Sequence, residues 1–326
     1  MPPSAPPSAR LRGLNLLLRH VAKPKLARTA TPQIARAEFA HAARLAFRRP
    51  PFLLRRRLPQ SACAPELHSV TAGPVRPGAL ILYFHGGAYF AGSPATHEAL
   101  AGRLSRLTAR EVILPDYRLV PEHPAPAAFE DAFASHAALI ARGHRPGDIV
   151  LAGDSAGAGI ALALLAELCR RDLRPAALVA FSPWADLSKG SASQQTNAAA
   201  DPLLPVSRLD EVVAYVLGSA PGALSPTDPR VSPVHARFDR PPPALIQMGD
   251  TEILRDDAVR VAARMRQGGG AVELSQWQAV PHAWQILDGY VPEARAALVE
   301  AAEFIDAVLS PRNVRVGASP SPARQK

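Results

Sequence analysis

Cysteine is almost missing: Cys63 and Cys169 are the only two in 326 residues. So sparse and distant a pair excludes a disulfide framework and a cysteine-rich zinc site, and fits a reducing interior. Aromatic residues are scarce at 6%, although hydrophobic residues reach 48%, so the core must be built from aliphatic side chains. No apolar run approaches the roughly 18 residues of a membrane-spanning helix. The N-terminal stretch MPPSAPPSARLRGLNLLLRHVAKPK holds only a short apolar segment, broken by Arg19 and His20, and lacks the apolar centre of a secretion signal. A cytoplasmic protein without stable membrane insertion is expected. Acidic residues are the minority, 28 against 37 Lys and Arg, for a net charge of +9. The excess crowds the ends, in Arg10, Arg12, Arg19, Arg44, Arg48, Arg49, Arg55, Arg56 and Arg57, then in Arg312, Arg315, Arg324 and Lys326. No nucleic-acid-binding motif accompanies it, so nucleic acid is not an expected partner.

The chain is long enough for one large α/β domain with an appendage. From about Ser69 onward, short β-like runs alternate with longer helical patterns, as in a mostly parallel sheet covered on both faces. Strands are expected over Ala79–Phe84, Val112–Leu114, Asp148–Ala152, Ala177–Phe181, Ala244–Met248 and Val272–Trp277, mainly continuous apolar runs of the doubly buried kind. Between them, Leu100, Leu104 and Leu107, then Phe129, Phe133, His136 and Ile140, then Ala258, Val261, Ala262 and Met265 form helical stripes. A last helix is expected from Pro292, with Ala297, Phe304, Ile305 and Val308 inward. Two segments break the alternation, residues 1–55 and 187–225, and are assigned to a cap over a core formed by residues 56–186 and 226–312. Residues 313–326 are expected to be a disordered tail. In the first segment Leu14, Leu17, Leu18 and Val21 form an apolar stripe flanked by Arg12, Arg19 and Lys23. A lid helix is the preferred reading and a membrane-surface helix the alternative.

Gly153-Asp154-Ser155-Ala156-Gly157 fits G-x-S-x-G. Alone the pattern is weak, but an apolar strand precedes it and the helical run AGIALALLAELCRR follows, the strand, turn and helix that the motif needs. A sharp turn strains the serine backbone and requires small neighbours two positions either side, which Gly153 and Gly157 supply. Ser155 is thus the candidate nucleophile, and the Ala156 amide at a helix start is a candidate oxyanion donor. His85-Gly86-Gly87-Ala88-Tyr89 follows the strand ALILYF, where a second set of donors belongs, and the amides of Gly86 and Gly87 are assigned to it.

HGGAYF, the segment Tyr117-Arg118-Leu119-Val120-Pro121-Glu122 with Pro126-Ala127-Ala128, and GDSAG, in this order and spacing, resemble the hormone-sensitive-lipase-like family of carboxylesterases. The resemblance spans about Leu80 to Leu309. It implies an α/β-hydrolase fold with a mostly parallel eight-stranded sheet, a helical cap and no cofactor. The family's third oxyanion glycine is Ala88 here, a mild departure because the first two glycines are taken as the donors. Dimerisation through an edge strand is a family expectation.

A serine hydroxyl at its ordinary pKa needs an imidazole, and that imidazole an acceptor behind it. In such hydrolases the chain order is serine, acid, histidine, with the histidine after the last strand; of the ten histidines only His282 fits. The family's run of an acid followed by Pro-Leu-x-Asp-Glu falls in register on Glu252-Ile253-Leu254-Arg255-Asp256-Asp257, which puts Glu252 on the catalytic acid, with Asp250 as the alternative. Asp256 and Asp257 are assigned to the cap of the next helix. Tyr89 and Trp184 are candidates for the pocket wall, with core packing the alternative for Trp184. No metal site is expected, since His97-Glu98 lacks a second histidine at zinc-helix spacing. The expected activity is hydrolysis of small carboxylic esters with short to medium acyl chains through an acyl-enzyme. A lactonase, thioesterase or amidase on the same triad, and a non-catalytic small-ligand binder, are the alternatives.

Overall fold

Leu80, Leu82 and Phe84 pack in one buried cluster while Ile81 and Tyr83 pack in another, the two-residue alternation of a strand with both faces covered. That strand lies inside an eight-stranded sheet in the computed structural model, which describes residues 6–59 and 63–310. The strands are β1 (Leu53–Arg57), β2 (Leu67–Ala72), β3 (Leu80–Phe84), β4 (Glu111–Pro115), β5 (Ile149–Asp154), β6 (Ala177–Phe181), β7 (Ala244–Gly249) and β8 (Val272–Trp277). Across the sheet they run β1-β2-β4-β3-β5-β6-β7-β8. β2 is antiparallel to both its neighbours, and every pairing from β4 to β8 is parallel.

The helices are α1 (Ala9–Leu17), α2 (Lys23–Arg28), α3 (Pro32–Ala46), α4 (Pro94–Thr108), α5 (Ala127–Ala141), α6 (Ser155–Arg170), α7 (Ser193–Thr196), α8 (Leu209–Leu217), α9 (Arg255–Gln267) and α10 (Pro292–Leu309). α4 and α10 press Leu100, Leu104, Leu298, Phe304 and Ile305 onto the Ile81 face. α5, α6 and α9 cover the other face, where Leu139, Leu162, Leu165, Val261 and Met265 meet Leu82 and Leu151. α6 is buried along nearly its whole length, which explains why its sequence is apolar all round rather than striped. α4 starts on a reciprocal cap: Ser93 Oγ accepts the Thr96 amide at 3.3 Å and Thr96 Oγ1 accepts the Ser93 amide at 2.9 Å, with Pro94 at the first helical position.

All six strands expected from the sequence form, with ends shifted by a residue or two, and the last helix does begin at Pro292. β1 and β2 were not legible as strands. β1 reads LLRRR and is exposed over four of its five positions, and β2 reads LHSVTA with polar residues in the chain, so neither shows the apolar run of a central strand. Leu53, Leu54 and Arg55, grouped above with the N-terminal segment, therefore belong to the sheet. The assigned tail, 313–326, lies outside the described residues.

α1 continues through a π-helical turn (Leu18–Ala22) into α2. The apolar stripe expected there divides. Leu11 is buried and Leu14 half-buried against Val280 and Trp284, and Leu18 is half-buried, whereas Leu17 and Val21 are 57% and 58% exposed. On a helix 11, 14 and 18 share a face, and 17 and 21 lie toward its side.

Candidate active site

β5 passes into α6 with no intervening loop, and the first residue of the helix, Ser155, is held at φ +54°. A non-glycine residue there is strained by on the order of 1–2 kcal/mol and persists only because the surroundings dictate it. A Cβ on Gly157 would collide with the carbonyl oxygens of Phe84 and His85, and one on Gly153 with the Gly157 carbonyl. Both glycines are therefore steric requirements of the turn. Ser155 is 9% exposed at the carboxyl end of β5. The Ala156 amide sits in the first turn of α6, where helix amides have no intrahelical acceptor.

The loop after β3 differs from expectation at one donor. The Gly86 amide donates to Asp154 Oδ1 at 3.0 Å, so it is committed to the protein rather than to a substrate oxygen. The following amides, of Gly87 and Ala88, have no protein acceptor among the described residues. Gly87, Ala88 and Tyr89 all have positive φ, at +125°, +52° and +64°, which turns successive N–H groups toward one side as an anion-binding nest does. Asp154 also accepts the Tyr83 hydroxyl at 2.8 Å and lies 3.5 Å from His97 Nε2. Burial works against its charge, yet His97, Tyr83 and the Gly86 amide together hold Asp154 below the usual carboxylate range. Behind the loop, Tyr117 donates its hydroxyl to the His85 carbonyl at 2.7 Å and stacks on the His85 ring at 4.3 Å. Burial pushes His85 down to about 3, so this ring is neutral. From α3, Arg36 donates to the carbonyls of Phe90 at 3.0 Å and Val120 at 3.2 Å and pairs with Glu122 at 2.9 Å.

Glu252 follows β7 and His282 follows β8, and Glu252 Oε2 accepts from His282 Nδ1 at 2.7 Å. The other oxygen, Oε1, accepts the Ser182 hydroxyl at 2.7 Å and the Gly249 amide at 2.6 Å. Glu252 is fully buried and His282 8% exposed. Burial disfavours the imidazolium, but the Glu252 hydrogen bond and charge, with Asp201 and Asp154 further off, outweigh it and leave His282 above its ordinary value. Asp250, the alternative acid, is engaged elsewhere: its Oδ1 accepts the Ala279 amide at 2.7 Å. Asp256 and Asp257 do not cap α9. They lie in its first turn and reach across to the segment after β6, Asp256 to the Ser193 amide and Asp257 to the amides of Ala185 and Asp186, each at 2.9 Å. Burial pushes Asp257 up to about 7.

The exits of β5, β6, β7 and β8 are laced together. The Trp184 amide donates to the Ser155 carbonyl at 3.0 Å, and Ser182 Oγ accepts the Ala283 amide at 3.1 Å. No hydrogen bond joins Ser155 Oγ to His282 among the described residues, and such contacts commonly tighten only once a substrate binds. The 187–225 segment adds residues that no sequence signal marked. Asn197 donates to the carbonyls of Asp250 at 3.0 Å and Glu252 at 2.8 Å, and Asp201 Oδ2 accepts the Ile253 amide at 3.0 Å. α1 and its continuation fasten onto the same region, with Asn15 on the Ala279 carbonyl, Arg19 on those of Ala199 and Ala200, and Lys23 on those of Ala198 and Asp201. Tyr89 and Trp184 are both buried in the main core, with ring centroids 6.0 Å apart.

A mostly parallel sheet of this order, in which one central strand turns straight into a helix on a left-handed serine and the exits of later strands bring a carboxylate to a histidine, is the architecture of an α/β hydrolase. The model of the alpha/beta hydrolase fold family matches residues 81–286. An esterase of Acinetobacter venetianus is 39% identical over 226 residues, 69% of this chain and 74% of that protein. An acetyl-hydrolase of Streptomyces hygroscopicus is 39% identical over 242 residues, 72% of this chain and 79% of its own. The crystal structure of an esterase from the bacterial hormone-sensitive lipase family is 31% identical with a TM-score of 0.85, covering 94% of this chain and all of that one. The chain belongs to the α/β-hydrolase family, in its hormone-sensitive-lipase-like branch.

Proposed function

We propose that this protein is a serine carboxylesterase that cleaves esters of short to medium acyl chains, with Ser155 as nucleophile, His282 as general base and acid, and Glu252 as the carboxylate that orients the imidazole. The observation that carries the reading is the buried 2.7 Å contact of His282 Nδ1 with Glu252, beside a serine held at positive φ. With Nδ1–H given to Glu252, Nε2 is the free base. Ser155 Oγ attacks the ester carbonyl and its proton passes to His282. The negative oxygen of the tetrahedral intermediate is met by the amides of Gly87, Ala88 and Ala156, each such donor lowering the barrier by about 3–4 kcal/mol. The alcohol leaves with the proton from His282, and water, activated by the same imidazole, releases the acid. These residues and water complete the cycle without a cofactor. Relatives named esterase and acetyl-hydrolase support the reaction and the short acyl group.

The segment that ends at residue 52, together with residues 187–225, acts as the cap, a reading supported by the clasp of Asn15, Arg19 and Lys23 on segments next to His282 and Glu252. A homodimer formed through the exposed edge of β8 and a cytoplasmic site of action complete the proposal; no described helix is long and apolar enough to cross a membrane. The test is hydrolysis of p-nitrophenyl acetate and butyrate by the wild type and by Ser155→Ala. Loss of turnover by at least about 10³-fold, with an unchanged melting temperature, is expected. A folded wild type with no turnover of any short ester would refute it.

A further inference from the structure

The polar balance of the chain is lopsided. The first 57 residues hold thirteen Lys and Arg against the single acid Glu38, whereas the other 269 hold 24 against 27. The apolar exposure is lopsided in the same direction, for eight of the ten large hydrophobic side chains exposed in the described residues fall between Leu16 and Leu54. Three of them, Leu16 at 60%, Leu17 at 57% and Val21 at 58%, occupy one outward stripe of α1 and its π-helical continuation. Ile34 of α3, 47% exposed, faces Val21 across an open groove of about 550 Å³, whose rim carries His20, Lys25 and Arg28 and one acid, Glu38, paired with Lys25 at 3.1 Å, so that Arg28 is the rim's surplus charge. The inward face is already occupied, Leu11 and Asn15 by the segment after β8 and Arg19 and Lys23 by the carbonyls of residues 198–201. The outward stripe is therefore no part of the core, and monomeric proteins rarely leave aliphatic side chains so clustered without a use.

We propose that this outward face, Leu16, Leu17, Val21 and Ile34 within a cationic rim, docks the protein onto the surface of an anionic phospholipid bilayer. The charge complementarity decides between occupants. A second copy applied to this face would set the surplus cations of one N-terminal segment, Arg28 among them, against those of the other, which repulsion opposes. A nucleic acid would satisfy the cations but offers no apolar phase for the aliphatic stripe. A bilayer with acidic headgroups satisfies both, since apolar side chains enter the acyl boundary while Lys and Arg remain among the phosphates. The inference does not rest on the esterase reading and can fail separately from it.

The experiment is sedimentation of the full chain with phosphatidylcholine vesicles and with vesicles of phosphatidylcholine and phosphatidylglycerol in equal parts, at low and high salt. Expected is binding to the anionic vesicles at least about tenfold tighter than to the neutral ones, weakening with salt. Lys25→Gln with Arg28→Gln should weaken anionic binding by about fivefold per charge removed. Leu17→Ser with Val21→Ser should weaken it at every salt concentration, and an unchanged melting temperature in both variants reports that the fold is intact. Equal partition to both vesicle types, or no loss in the Leu17/Val21 variant, overturns the proposal. So does self-association in the absence of vesicles that Leu17→Ser with Val21→Ser abolishes, which would assign the face to a second copy, or tighter binding to duplex DNA than to anionic vesicles, which would assign it to nucleic acid.

Discussion

Ser182 Oγ stands 2.7 Å from Glu252 Oε1 and at the same time accepts the Ala283 amide at 3.1 Å, so one hydroxyl ties the orienting carboxylate to the residue next to His282. Replacing Ser182 with Ala leaves Glu252 Oε1 with the Gly249 amide alone. A buried acceptor and a buried donor that lose a partner cost about 1–3 kcal/mol of stability. We expect Ser182→Ala to lower kcat on the order of tenfold with little change in KM, together with that loss in a denaturant titration. Unchanged kcat and stability would mean that the hydroxyl is dispensable.

Glu252 and Asp250 can be separated directly. Glu252→Gln keeps the shape but replaces the acceptor that fixes the imidazole, and kcat should fall by on the order of 10³–10⁴-fold. Asp250→Asn retains an oxygen for the Ala279 amide and should cost less than about tenfold. The reverse ranking would move the orienting role to Asp250.

The pH profile of kcat/KM carries the sign of the His282 environment. The base works neutral, and its pKa lies above the ordinary 6.5 because Glu252, Asp201 and Asp154 outweigh burial. Activity should therefore rise with pH through a midpoint above 6.5 and fall away below it. In Glu252→Gln the main raising influence is gone while burial remains, so the residual activity should have its midpoint shifted to lower pH. A wild-type midpoint at or below 6.5 would contradict the arrangement.

Asp154 holds the oxyanion loop from behind, through the Gly86 amide and the Tyr83 hydroxyl. Asp154→Ala frees Gly86 and should lower kcat by roughly 10²-fold, the scale of one misplaced oxyanion donor, with a smaller effect on KM. Gly87→Ala should be worse, since its Cβ would collide with the Ala91 carbonyl at a backbone φ of +125°. Steady-state kinetics on p-nitrophenyl butyrate decide both, and a fully active Gly87→Ala would show that the loop absorbs a Cβ there without moving its amides.

Much of this was legible because central strands and the nucleophile turn are specified by short-range chemistry. ALVAF and ALIQM leave few alternatives once both faces must be buried, and Gly153 and Gly157 flank Ser155 for a steric reason visible in the spacing alone. What escaped depends on partners far off in the chain. Gly86 looked like a donor to substrate because nothing local discloses that Asp154, 68 residues later, accepts its amide. Asp256 and Asp257 matched the local rule for helix caps, but Ser193, Ala185 and Asp186 offered them donors across the fold. Asn197 and Asp201 sit in a segment without periodicity, where their hold on the Glu252 loop has no sequence signature. At the antiparallel end of the sheet, the edge strand β1 was hidden by the arginines that keep an edge from pairing with strangers, and β2, beside it, by its histidine and hydroxyls.

Arg19 and Lys23 grip backbone oxygens of residues 198–201, not carboxylates. Since every amino acid carries the same carbonyl, the run Ala198-Ala199-Ala200 is free to drift in evolution without unfastening the N-terminal helix, as long as its path is kept. Acidification leaves the clasp untouched as well, because its acceptors do not titrate. Only alkali reaches it, through Lys23, whose pKa is lowered by burial.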